Sequence, residues 1–198
     1  QFGRQNIKTF WLVGHSQGGM TSRRIVCSDY FKDKVDGFVS LSGGRVGTPA
    51  SVAAGVAPLV PPAAGAPPAP AAAPAPLPTC DFSFIFDIGE REPSSATATD
   101  KSEWATKYAC GPRVRKPDVV DNKPGYVTAT DQSRGPSWGT TARPGTAQVY
   151  AFVGCKDGRV VADVIRMEKG HTEGLEPMVT QKILDMMMSA KGGKLNGG

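Results

Sequence analysis

The stretch TFWLVGHSQGG, residues 9–19, decides the fold. Thr9 to Gly14 form a short run of apolar, aromatic and β-branched residues, the character of a strand. His15 and Ser16 follow between glycines, and a helical stretch then extends from Gln17 to about Cys27. A strand that passes through a tight glycine-flanked turn into a helix is the repeating unit of an α/β sheet. Working outward, GFVSLSGG (37–44) and DFSFIFDIG (81–89) have the same texture. Strands this apolar on both faces belong in a parallel sheet covered by helices on each side.

The rest of the chain is organised around that sheet. Residues 49–79 form an Ala/Pro-rich tract that favours extended, polyproline-like backbone and cannot bury a core. It reads as an insertion between two strands, with a flexible interdomain linker as the alternative. A short helix is expected around 102–108, then a polar stretch rich in Gly, Pro, Ser and Thr over 111–146. QVYAFVG, a turn containing Asp157-Gly158, and VVADVIRM predict a β-hairpin. The final helix is expected over 175–190, with Leu175, Met178, Val179, Ile183, Leu184 and Met187 on one apolar face. Of the consecutive methionines 186–188, core filling is the expected role. The chain reads as one partial domain, 1–198.

Composition narrows the function. A chain of 198 residues suits one ordinary domain. The net charge of +5 is scattered, with no basic run and no interleaved aromatics, which argues against nucleic-acid binding. Residues 46–80 are uncharged, yet ten prolines between Pro49 and Pro78 exclude a spanning helix. Cys27, Cys80, Cys110 and Cys155 lack CxxC spacing, and His15 and His171 are the only histidines, so no structural zinc site is expected; the chemistry of residues 14–19 needs no metal or organic cofactor. Four cysteines without metal spacing imply two disulfides and a secreted or periplasmic location, with three pairings open.

The chemistry lies in G-H-S-Q-G-G, residues 14–19. In a G-x-S-x-G turn the serine sits in strained backbone between strand and helix, and flanking glycines avoid collision with neighbouring backbone. The helix N-terminus behind it favours developing negative charge. Ser16 is the expected nucleophile and the Gln17 N–H an oxyanion donor. A serine needs a base, and His171, on a loop at the carboxyl end of a strand, is favoured over His15, which adjoins the serine and would point away from it. His15 is expected to pack or to shape the pocket rim. For the acid that orients His171, Glu92 is first choice, Asp87 second and Glu90 third. Trp138 is a candidate aromatic wall of the substrate pocket.

GHSQGG after a strand resembles the nucleophile elbow of α/β-hydrolases, and GEREP (89–93) resembles the loop that supplies their acid, with Glu92 in place of the usual Asp. The likeness spans residues 5–190 apart from the Ala/Pro tract. EWATKYACGP (103–112), the cysteine of the later hairpin and GHTEGLEP (170–177) are similar to secreted esterases of the polyhydroxybutyrate-depolymerase and feruloyl-esterase group, although Thr172-Glu173 stand where that group has Trp-Pro. The resemblance implies a serine carboxylic ester hydrolase working through an acyl-enzyme on a small or polymeric ester. A thioesterase or peptidase would use the same groups, and a non-catalytic half-domain that binds a partner chain or polymer is the competing class. Such hydrolases carry further strands before the serine, so the chain is expected to be the C-terminal half of an α/β-hydrolase sheet, its N-terminal strands missing. Another segment or chain would then cover the apolar edge of the 9–14 strand.

Topology predicts the cysteine pairing. If the site lies above the carboxyl ends of parallel strands, Cys27, Cys80, Cys110 and Cys155 all fall at the opposite end of the sheet. Neighbouring elements then favour Cys27–Cys80 and Cys110–Cys155, each bridge contributing roughly 3–4 kcal/mol in the chain-entropy model.

Overall fold

Phe84, Ile85, Phe86 and Ile88 follow one another in a segment with water on neither side, and this burial places them at the centre of the sheet. A computed structural model describes residues 7–48, 76–128, 130 and 135–191; most of the Ala/Pro tract lies outside them. The elements are β1 (Trp11–His15), α1 (Gln17–Ile25), β2 (Gly37–Leu41), β3 (Ser83–Gly89), α2 (Glu103–Lys107), β4 (Arg113–Arg115), β5 (Val119–Asp121), β6 (Gly145–Phe152), β7 (Val161–Arg166) and α3 (Pro177–Ser189). They build a seven-stranded mixed sheet in the order β1-β2-β3-β7-β6-β4, with β5 also on β6. β1, β2, β3 and β7 are parallel. β6 joins β7 antiparallel, as the hairpin pattern predicts, and carries β4 and β5 antiparallel to itself.

Strand alternation divides the core in two. Phe38, Phe84, Phe86 and Ile88 point to one face, where they meet Val26, Phe82 and Trp104. Val39, Ile85, Val149, Ala162 and Val164 point to the other, covered by Val179 and Ile183 of α3. The buried face of α3 is narrower than its periodicity suggests, because Met178 and Leu184 are exposed. Successive helix residues are about 100° apart, so three adjacent methionines cannot share one face. Met186 and Met187 pack on the core while Met188 faces solvent.

On the first face Asp163 is buried between two guanidiniums. Arg45 reaches it at 3.0 and 2.9 Å, and Arg113 at 2.9 Å. Arg45 also donates to the carbonyls of Thr97, Lys101 and Thr99, which ties the loop before α2 to the sheet. The disulfides are Cys27–Cys80 and Cys110–Cys155. Among the described residues no helix is long and apolar enough to cross a membrane.

Candidate active site

The turn between β1 and α1 places Ser16 in left-handed backbone, φ 56° and ψ −121°. That conformation is strained for a residue with a side chain and persists only where the surroundings enforce it. Here the Ser16 N–H donates to Leu41 O at 2.8 Å, and the packing beneath is closer than side chains allow. A Cβ on Gly14 would lie 2.4 Å from the Gly18 carbonyl, and one on Gly19 would lie 2.9 Å from Gly43 Cα. Gly18 is different: nothing lies within 4 Å of a Cβ built there. The expectation that both glycines of G-x-S-x-G are sterically required therefore holds for Gly14 and not for Gly18. Gly19 is the second tight contact, between α1 and the loop after β2.

His171 arrives from the loop that links β7 to α3. Its Nε2 lies 2.7 Å from Ser16 Oγ and its Nδ1 2.6 Å from Glu92 Oε2. Glu92 stands just past β3, immediately before a 3₁₀ turn, Pro93–Thr97, and its side chain makes no capping bond to that turn. Its other oxygen, Oε1, accepts from Ser42 Oγ at 2.6 Å and from the Gly89 N–H at 2.9 Å. Burial alone would raise the pKa of this carboxyl. The hydrogen bonds from His171, Ser42 and Gly89, with the charge of His171, outweigh it and hold the pKa below the ordinary 4.5. Glu92 is thereby held ionised, able to orient the imidazole and to balance a charge on it.

The other acid candidates are engaged elsewhere. Asp87 lies inside β3, fully buried, and accepts from Arg166 Nε at 2.9 Å. Desolvation exceeds the help from Arg166, and its pKa is pushed up to about 6. Glu90 accepts from the Glu168 N–H at 2.7 Å, at the surface. The Gln17 N–H opens α1, where the first N–H groups of a helix have no partner within it. His15 does turn from Ser16: its Nε2 donates to the carbonyl of His171 at 2.8 Å, and its ring lies 5.0 Å from the His171 ring. Because a carbonyl only accepts, the proton of the neutral ring is on Nε2. Burial holds the His15 pKa below its ordinary 6.5.

Several residues that hold the site carry no signal in the sequence. Ser42 aims Glu92. Glu173 accepts from the Gly170 N–H at 2.6 Å and from Arg143 Nε at 3.0 Å, while Arg166 donates to the Glu173 carbonyl. Lys169 and Glu176 pair at 2.8 Å beneath the same loop. Trp138 packs edge-on against His171, ring centroids 4.9 Å apart, and the backbone of 137–138 accepts from the N–H groups of His171 and Thr172. Trp138, expected as an aromatic wall, thus braces the imidazole. A cavity of about 860 Å³ lies near Arg45, Lys101 and Phe152 and touches none of Ser16, Glu92 or His171. No protein-family model, no curated protein and no solved structure matches the chain.

Proposed function

We propose that this chain is the C-terminal part of an α/β-hydrolase and a serine carboxylic ester hydrolase. One observation carries the reading: an unbroken hydrogen-bonded line from Ser16 through His171 to an ionised Glu92, starting on a strained strand-to-helix turn. Ser16 Oγ attacks the ester carbonyl as His171 Nε2 takes its proton. The Gln17 N–H and the N-terminal end of α1 stabilise the oxyanion. His171 then protonates the leaving alcohol, which departs and leaves an acyl group on Ser16. Water, deprotonated by His171, attacks that acyl-enzyme and releases the acid. Glu92 holds the imidazole in the tautomer with Nδ1–H throughout.

The two disulfides support a secreted or periplasmic setting, where such bonds persist. β1 pairs on one side only among the described residues, and an apolar edge attracts another strand; a further segment or second chain is the expected partner there. A fluorophosphonate probe should label Ser16 covalently, and Ser16→Ala should lower ester turnover by roughly 10⁴-fold or more with an unchanged thermal melt. Absence of label on a folded chain would instead favour the non-catalytic half-domain.

A further inference from the structure

At the carboxyl ends of β1, β2 and β3 three residues stand in one register row: His15 opposite Leu41, and Leu41 opposite Asp87. Their side chains share the face covered by α3, where they border a cavity of about 280 Å³ closed further by Tyr126, Thr128, Arg166, Glu173 and Leu175. Ser16, Glu92 and His171 do not line it, but two of its walls are the nucleophile's immediate neighbours. His15 precedes Ser16 in the chain, and Leu41 receives the Ser16 N–H through its carbonyl. The polar groups of the row are turned to other partners: His15 Nε2 to the His171 carbonyl, Asp87 Oδ1 to Arg166. What remains for a ligand is the carbon of Leu41 and Leu175 and the ring of Tyr126, which is 69% exposed at the rim.

From this row we infer that the cavity is the acyl subsite of the proposed esterase, and that it selects an uncharged aliphatic chain of medium length. The inference rests on the esterase reading. A dry apolar cavity of about 150 Å³ holds one benzene, so roughly twice that space suits a chain of about six to eight carbons. An acetyl group leaves most of the space unfilled. A dodecanoyl chain overruns it. An acyl group ending in a carboxylate is disfavoured, because the walls hold two carboxylates, Asp87 and Glu173, against the one guanidinium of Arg166, which Asp87 already engages, and Asp87 Oδ2 is buried without a hydrogen-bond partner. A further carboxylate there would add like charge in a desolvated place.

The test is the specificity of the chain toward p-nitrophenyl esters from acetate to dodecanoate, with benzoate and hemisuccinate as further arms. Wild type, Leu41→Trp and Leu41→Ala are compared after circular dichroism has checked folding and a fluorophosphonate has checked labelling of Ser16. Each methylene well seated in an apolar pocket is worth about tenfold or more in kcat/KM, so hexanoate or octanoate should exceed acetate at least tenfold. Dodecanoate, benzoate and hemisuccinate should fall below that optimum. Leu41→Trp should lower the octanoate-to-acetate ratio at least about tenfold, and Leu41→Ala should move the optimum to longer chains. If Leu41→Trp does not fold, Leu41→Ala decides by itself. Labelling of Ser16 with no shift in chain-length preference overturns the subsite and leaves the esterase reading standing. No labelling of folded wild type overturns both.

Discussion

At the scale of single residues, the site depends on which carboxylate is free to face His171. Asp87, Glu90 and Glu92 lie within six positions of one another, and partners sort them: Arg166 takes Asp87, the Glu168 N–H takes Glu90, and His171 takes Glu92. Glu92→Gln should therefore cut kcat by roughly 10³–10⁴-fold, since the amide favours the wrong imidazole tautomer, while Asp87→Asn should cost far less. The pH dependence of stability has opposite signs at the two acids. The Glu92 pKa is depressed on folding, so its contribution is complete above 4.5 and is lost as pH falls through the lower folded value. The Asp87 pKa is raised to about 6, so its contribution is complete below its ordinary 3.8 and is lost as pH rises through 6. Melting temperatures followed from pH 7 to pH 4 should show Asp87→Asn missing a gain that wild type has; parallel curves would contradict the buried charge at Asp87. Ser16, His171 and Glu92 were legible because a motif and a chain order point to them. Ser42, Arg166 and Glu173 were not, because a lone serine or charge has no local pattern and acquires its partner only through tertiary contact.

At the scale of elements, length decided what could be read. β2, β3, the β6–β7 hairpin and α3 each announce themselves by apolar runs or periodicity. β4 and β5 are three residues each inside a polar stretch, RVR and VVD, and exist because β6 offers them an edge. The elbow glycines give a sharp contrast. Gly18→Ala should be tolerated and even stabilising by up to about 1 kcal/mol, the ordinary gain from alanine in a helix. Gly14→Ala and Gly19→Ala should destabilise, because each added methyl meets backbone within 3 Å. Chemical denaturation of the three variants checks this; equal losses would contradict the packing at the turn. Asp163→Ala should cost about 3–5 kcal/mol, because it strands Arg45 as a buried cation and takes the carboxylate from the partly buried Arg113.

At the scale of the whole molecule, the sheet divides labour between its two ends. The carboxyl ends of the parallel strands carry Ser16, Glu92 and His171, and the disulfides brace the chain elsewhere. They close segments of 53 and 45 residues, and each contributes about 4 kcal/mol in the chain-entropy model. This pairing was legible from topology alone, since strand direction fixes the end at which each cysteine emerges. The location of the cavity beside Leu41 was not, because it depends on register between strands that are distant in sequence. The central claim is covalent chemistry at Ser16, and its most direct measurement is mass spectrometry of the chain quenched in acid during turnover of a p-nitrophenyl ester. The predicted result is an acyl group on the peptide containing Ser16, lost when His171 is replaced by alanine. Steady turnover with an unmodified Ser16, or a folded chain that neither turns over ester nor acquires the acyl group, would contradict it.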